Sequence, residues 1–398
     1  VRVIGMISGT SFDAIEAVAV ELELDRETLV VDFHRHLSVP YPPELRSAVA
    51  ELLPPATTSI EAVCRLDTLI GAQFAEVAER LSLEAFAGQV DVVCSHGQTV
   101  FHWVEAGRAR GTLQLGQPAF IAERTGATVV SDLRARDIAK GGHGAPLASL
   151  LDVLLFAHRD DRVYGSLNLG GIANVTVAGA GREPLAYDIG PANALLDAVV
   201  AWRSGGAELC DLGGERAGQG RVDAELLDRF LDEPYYRQPP PKSTGKELFH
   251  LPYVLERLDG RELATEDLLA TLTALSAEVI ARDLRQLEVA QVVSAGGGTR
   301  NLTLMRELSA RLPGVSLVKI DAYGVAEGAK EALVFALIGF LTVNGLTASI
   351  PSCTGAREAS VLGSIVPGAR NLKRQADPLQ PTRLRVRTPL GSGQRQPQ

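Results

Sequence analysis

The chain is poor in cysteine, and the four it has, Cys64, Cys94, Cys210 and Cys353, are widely separated, with no CxxC pair and no histidine at ligand spacing. That spacing argues against a zinc site and a disulfide framework and fits a reducing compartment. Basic charge is also short: 39 Lys and Arg stand against 48 Asp and Glu, a net charge of -9. Nucleic acid and acidic membrane surfaces both call for a concentrated basic face, so small molecules are the more natural ligands. No apolar run is long enough to span a bilayer; the most apolar, residues 332–346, is interrupted by Gly339 and Asn344 and reads as a buried helix. The chain opens on VRVIGMIS, a strand-like stretch with no basic region, apolar h-region or cleavage site, so a cytoplasmic location is expected. Neither GxxxxGK[ST] nor GxGxxG with its downstream acid occurs, which removes the P-loop and the Rossmann fingerprint from consideration.

What is present fits a two-domain protein. A chain of 398 residues with 46% hydrophobic residues is ample for two cores. Residues 1–8, 15–24 and 28–39 read as three consecutive strands, hence an antiparallel start, followed by helices over 43–53 and 60–83. A short strand over 90–95, a polar loop, a helix over 118–125 and a strand over 127–131 come next. The glycine-rich DLRARDIAKGGHGAPL, residues 132–147, reads as a crossing between domains. The pattern then restarts with a helix over 146–156 and three strands, 164–169, 172–177 and 185–187. Asp188 is expected to end the last of these, with Gly190 and Pro191 breaking the strand and Asn193 capping the helix that follows. Residues 234–249 read as a loop. A long helix over 265–287, a strand over 291–295, a GGGTRN turn, a helix to Leu312, a strand over 315–320 and a helix over 326–343 complete the second half. The expected division is residues 1–132 with 345–370 as one domain, 133–344 as the other, and 371–398 as a disordered tail.

Three small-residue turns each follow an apolar strand: SGTSFD at 8–13, NLGGIAN at 168–174 and AGGGTRN at 295–301. Read alone, each such turn is simply a tight hairpin. Together with the carboxylates of Asp13 and Asp188 they suggest a nucleotide clasp, in which backbone N–H groups and hydroxyls hold phosphates while acids hold magnesium or a nucleophile.

In order along the chain, GMISGTSFDAIEAV, CSHGQTVFH, QLGQPAFIAERTG, DLRARDIAKGGHGAPL, NLGGIANVT, YDIGPANALLDA, PPKSTGKELF, SAGGGTRN and KEALVFALIG resemble the anhydro-N-acetylmuramic acid kinases over roughly residues 3 to 367. The resemblance implies an α/β fold of two RNase H-like domains, the actin/hexokinase/Hsp70 ATPase fold, with ATP and Mg2+ in an interdomain cleft. It implies hydrolytic opening of 1,6-anhydro-N-acetylmuramic acid with phosphorylation of O6, giving N-acetylmuramic acid 6-phosphate and ADP in peptidoglycan recycling. A homodimer is the family tendency.

By matching motif, Asp188 is the base. Gly9, Thr10, Ser11, Phe12, Asp13, Ala14, Ile15 and Glu16 make the first nucleotide segment, with Asp13 toward the metal. Asn168, Gly170 and Gly171 make the second phosphate turn, and Gly296, Gly297 and Gly298 lie against adenosine. Arg134, Asp132 and Glu331 serve the sugar, Arg134 being chemically suited to its lactyl carboxylate. His96 is grouped with them, although it and His102 read equally as packing or capping residues. Ala14, Glu16, Ala192 and His143 depart from the family's usual residues, and a glycine at 192 would have suited a positive φ. Two other readings stand beside this one: another sugar or carboxylate kinase of the same fold, and a nucleotide-controlled binding protein.

Overall fold

The computed structural model describes residues 1–9, 12–53, 56–240, 242–245, 247–370 and 376–390. The chain begins β1 (Arg2–Ser8), β2 (Ala14–Asp25), β3 (Thr28–Pro40), α1 (Pro43–Leu52), α2 (Ile60–Phe86), β4 (Val92–Glu105), β5 (Arg108–Leu115), α3 (Pro118–Thr125), β6 (Thr128–Ser131), α4 (Ala135–Ala139) and α5 (Ser149–Phe156). It continues β7 (Val163–Leu169), β8 (Ile172–Gly179), β9 (Leu185–Pro191), α6 (Ala194–Arg203), α7 (Glu215–Gln219), α8 (Ala224–Leu231), α9 (Leu251–Leu258), α10 (Thr265–Gln286), β10 (Gln291–Ala295), α11 (Leu302–Arg311) and β11 (Ser316–Lys319). It closes with α12 (Lys330–Val343), α13 (Pro351–Thr354), β12 (Ser364–Val366) and β13 (Arg383–Thr388).

Two compact units result, Val1–Leu155 with Tyr323–Gln398, and Phe156–Ala322. In the first, β1, β2 and β3 form an antiparallel meander, β4 joins β1 in parallel and β6 joins β4 in parallel. In the second, β7, β8 and β9 form the meander, β10 joins β7 in parallel and β11 joins β10 in parallel. The five strands therefore take the same order twice, β3-β2-β1-β4-β6 and β9-β8-β7-β10-β11, the RNase H-like arrangement. The first sheet adds β13 beyond β3, β12 beyond β6 and β5 on β4.

Burial explains the elements. β1 is buried on both faces, as its unbroken apolar run demands of a central strand, whereas the end of β2 alternates, with Leu22 and Leu24 inward and Glu21, Glu23 and Asp25 outward. Helix α12 lies directly on this sheet: a Cβ at Gly5 would overlap the Ala332 carbonyl, and one at Gly339 would sit 2.6 Å from the Cys94 Cβ. Close approach is thus the reason for glycine at both positions. It also places α12 in the first unit, so the unit boundaries fall after Leu155 and after Ala322, where the sequence suggested 132 and 344.

Several other expectations change. The loop expected after Ser95 is a hairpin: β4 runs on to Glu105 and pairs with β5 across a turn in which Ala106 and Gly107 both have positive φ. Register shifts between Thr99 and Phe101 and between Trp103 and Val104 interrupt the alternation that would have revealed it. Residues 132–147 carry α4 and a loop of the first unit. Within the span read as a disordered tail, β13 pairs in parallel with β3. All four cysteines are free thiols. Among the described residues no helix is long and apolar enough to cross a membrane.

Candidate active site

In the second unit, Asp188 does not end β9; the strand continues to Pro191. The register shifts by one residue between Ala173 and Asn174, which face Gly190 and Asp188, so Ile189 is the extra residue of a bulge directly after the acid. Bulges of this kind re-aim a side chain, and Asp188 here lies on an edge strand. Both its backbone groups are tied from outside the ladder: its N–H donates to the Lys242 carbonyl at 3.0 Å, and its carbonyl accepts from the Tyr235 hydroxyl at 2.6 Å. Its Oδ2 accepts from the Ser243 hydroxyl at 2.8 Å and from the Thr244 N–H at 3.1 Å. Partial burial raises the carboxyl pKa, the two hydrogen bonds pull it down, and Glu247 pushes it up again. The result is an acid whose basicity exceeds that of an ordinary aspartate.

One ladder row carries Ala295, Asn168, Asn174 and Asp188 side by side. The β7–β8 turn at Gly170 and Gly171 is sewn to the start of α6: the Gly171 carbonyl accepts from Ala192 and Ala194 N–H, and the Gly170 carbonyl from Asn193 N–H and, at 2.8 Å, from Asn193 Nδ2. Asn193 is therefore not the side-chain cap expected, because its amide is spent on the neighbouring turn and its φ and ψ are already helical. Ala192 is fully buried and lies outside the left-handed region, so the methyl group meets no backbone obstacle. Onto the same turn folds the segment after β10. A Cβ at Gly296, where φ is 91°, would lie 2.6 Å from Asn168 Oδ1, and one at Gly298 would lie 2.7 Å from Leu169 Cβ and 2.9 Å from Asn193 Nδ2. Gly297 continues into a short 3-10 turn, and Asn301 caps α11 by accepting from Leu304 N–H. Asn168, Gly170, Gly171 and Gly296–Gly298 are thus brought together.

In the first unit, Thr10 and Ser11 lie outside the described residues. Around them, Phe12 has φ of 39° and donates its N–H to the Gly9 carbonyl at 3.1 Å. A left-handed phenylalanine is costly backbone of the kind retained at binding turns. Asp13 is exposed, its Oδ1 accepting from Ala14 N–H at 3.0 Å. Ile15 faces the core, and Glu16 is engaged on β3 by His36 at 2.7 Å and Ser38 at 2.5 Å. A residue not singled out in the sequence supports the turn: fully buried Gln98 accepts from the Ser8 hydroxyl at 2.6 Å and donates to the Gly9 carbonyl at 3.2 Å. Its place in CSHGQTVFH was the available signal.

The same unit gathers Arg134, His96 and Glu331. Arg134 donates its Nε–H to His96 Nε2 and its Nη1 to the Gly144 carbonyl at 2.5 Å. Burial lowers the guanidinium pKa to about 10, against the pull of Glu331 and Asp137, so it stays charged at neutral pH. Glu331, in the first turn of α12, has its pKa raised chiefly by desolvation of the carboxyl, with Lys330 and Arg134 pulling it down and Glu16 adding to the rise. Asp132 is exposed at φ of 54°. The loop after α4 wraps buried Asp137, which accepts from Gly144 N–H and from Thr354, both at 2.8 Å. His102 is held below its usual pKa by burial and by the neighbouring Arg134 and His143, which favours its neutral form.

Among the described residues no three His, Cys, Asp or Glu side chains converge into a metal cage. Magnesium commonly rests on phosphates, waters and one or two carboxylates, and exposed Asp13 beside the glycine turn is chemically suited to that share.

The family model for anhydro-N-acetylmuramic acid kinase matches residues 1–368. A protein named anhydro-N-acetylmuramic acid kinase from Streptomyces coelicolor is 57% identical over 373 residues, covering 94% of this chain and 95% of that one. A protein of the same name from Rhodococcus erythropolis is 52% identical over 396 residues, covering 97% and 99%. A solved ROK family glucokinase from Streptomyces griseus, in complex with glucose and AMPPNP, aligns at 14% identity and a TM-score of 0.36 over 85% of this chain and 99% of that chain.

Proposed function

The chain belongs to the anhydro-N-acetylmuramic acid kinase family, and on that premise we propose how its residues carry out the reaction. The enzyme uses ATP to open 1,6-anhydro-N-acetylmuramic acid and to phosphorylate O6, forming N-acetylmuramic acid 6-phosphate and ADP in murein recycling. A water molecule attacks the anomeric carbon and gives its proton to Asp188. The bond from that carbon to O6 breaks, and O6 takes the γ-phosphoryl group in line. The division of labour is that of an inverting glycosidase, with phosphoryl transfer in place of protonation of the leaving oxygen.

The observation that carries this reading is the state of Asp188. One carboxylate oxygen is fully occupied by Ser243 and Thr244, which fixes the group, while partial burial raises its proton affinity. A base at such a step works best with a pKa moved toward the working pH. By matching motif, the phosphates of the nucleotide are assigned to Gly9–Asp13 and to Asn168, Gly170 and Gly171, and its adenosine to Gly296–Gly298. Magnesium, when bound, neutralises phosphate charge, and Asp13 is the carboxylate assigned to it. For the sugar, charged Arg134 suits the lactyl carboxylate, with Glu331 and Asp132 toward its hydroxyl and anhydro oxygens.

The direct test is ADP release with ATP and magnesium across a sugar panel. Turnover with 1,6-anhydro-N-acetylmuramic acid, giving a 6-phosphate by mass, is expected. Turnover with glucose or N-acetylmuramic acid but not with the anhydro sugar would move the chain to another sugar kinase activity.

A further inference from the structure

The motif PPKSTGKELF carried no assigned role in the sequence, yet three of its residues hold Asp188. Lys242 turns its side chain into the protein, 3.7 Å from the Asp283 carboxylate and 4.9 Å above the Tyr235 ring. Its Nζ also reaches the Tyr235 and Tyr236 carbonyls at 3.5 and 3.4 Å. A lysine buried among an acid, two carbonyls and an aromatic face is a fixed anchor rather than a solvated tether. The next two residues point the other way in function: Ser243 Oγ and Thr244 N meet Asp188 Oδ2, and the Lys242 carbonyl takes the Asp188 N–H.

We propose that Lys242–Thr244 is a strap that positions the base, with Ser243 as the residue that orients Asp188 and holds it ionised. This rests on the reading of Asp188 as the base. Both strap donors converge on Oδ2, so Oδ1 is the oxygen left to take the proton from water. A hydroxyl and an amide donating to one oxygen favour the charged form, and so oppose partial burial and the Glu247 charge, both of which favour the neutral form. The other ionisable neighbours are accounted for: the Tyr235 hydroxyl is bound to the Asp188 carbonyl, and Lys242 and Asp283 face each other. Asn168 and Asn174, beside Asp188 in the ladder, carry no charge.

The test compares Ser243→Ala, Ser243→Thr and Asp188→Asn with the parent enzyme. Losing a hydrogen bond to a charged group is worth about one pH unit or more. In Ser243→Ala the acidic limb of kcat/KM is therefore expected to move up by about one pH unit, so that kcat/KM falls toward a limit of about tenfold on the acidic side of the limb and is little changed on its plateau, with the Kd for ATP unchanged. Ser243→Thr, which keeps the hydroxyl, restores the parent profile. An independent reading needs no turnover: in protein with 13C-labelled aspartate carboxyls, the Asp188 signal, identified by its loss in Asp188→Asn, titrates about one unit higher in Ser243→Ala. Superimposable pH profiles and titrations for Ser243→Ala and the parent, with Asp188→Asn inactive, would overturn the strap and leave the base assignment standing. Full activity in Asp188→Asn would overturn both.

Discussion

Arg134 and His96 form a single hydrogen-bonded unit, the arginine Nε–H donating to His96 Nε2 at 2.9 Å. An imidazole that accepts at Nε2 keeps its proton on Nδ1, and Nδ1 indeed meets the Gly97 carbonyl at 3.1 Å. The ring is buried against Phe335, their centroids 4.7 Å apart. Burial and the adjacent guanidinium bring the His96 pKa down to about 3, so this histidine is a neutral prop for the arginine and not an acid–base group.

A stability prediction follows from that depressed pKa. The unfolded chain takes up a proton at His96 below the ordinary value near 6.5, whereas the native protein does so only near 3. Native stability is therefore lost as pH falls from 6.5 toward 3, at up to about 1.4 kcal/mol per pH unit from this one group. Urea unfolding of His96→Gln between pH 7 and 4 is expected to show a flatter pH dependence than the parent. Parallel curves would contradict it.

The three-glycine turn gives a second prediction. Ala at position 298 would force its Cβ against Leu169 Cβ and Asn193 Nδ2, so the two turns must part. Gly298→Ala is expected to cost about 1–3 kcal/mol of stability, as overpacking does, and to weaken ATP binding about tenfold. Calorimetric titration and thermal melting read the two effects separately. Unchanged ATP affinity would remove this turn from the nucleotide site.

A third prediction concerns the base of α12. Lys330 and Asp152, both nearly inaccessible, pair at 3.0 Å just before Glu331. Asp152→Ala leaves a buried ammonium without this partner and is expected to cost about 3–5 kcal/mol, whereas replacing both by apolar residues, Lys330→Met with Asp152→Leu, recovers most of it. Denaturant midpoints of the single and double variants decide this. Equal loss in both would mean that the pair itself contributes the stability.

Both meanders were legible in the sequence because β1–β3 and β7–β9 carry their own local signals: apolar runs, alternation, and polar or glycine turns. The parallel pairings of β4 with β1 and of β10 with β7 are long-range, and only their strands, not their partners, could be read. Asp188, Asn168 and the glycines stood out as candidates through compact motifs. Ser243 did not, since it meets Asp188 from 55 residues away, out of a proline-rich stretch that reads only as loop. Gln98 escaped notice for a similar reason: its contacts to Ser8 and Gly9 exist only once β4 lies beside β1. The bulge after Asp188 was invisible because Gly190 and Pro191 imitate a strand end.

The central claim is that Asp188 takes a proton from the water that opens the sugar. Incubating the purified protein with ATP, magnesium and 1,6-anhydro-N-acetylmuramic acid in oxygen-18 water, with Asp188→Asn alongside, tests it most directly by mass spectrometry. The account predicts a sugar 6-phosphate with one heavy oxygen at its anomeric carbon from the parent enzyme. From Asp188→Asn it predicts a loss of rate of at least about 100-fold with ATP binding kept. A product without heavy oxygen, or a variant that turns over like the parent, would contradict it.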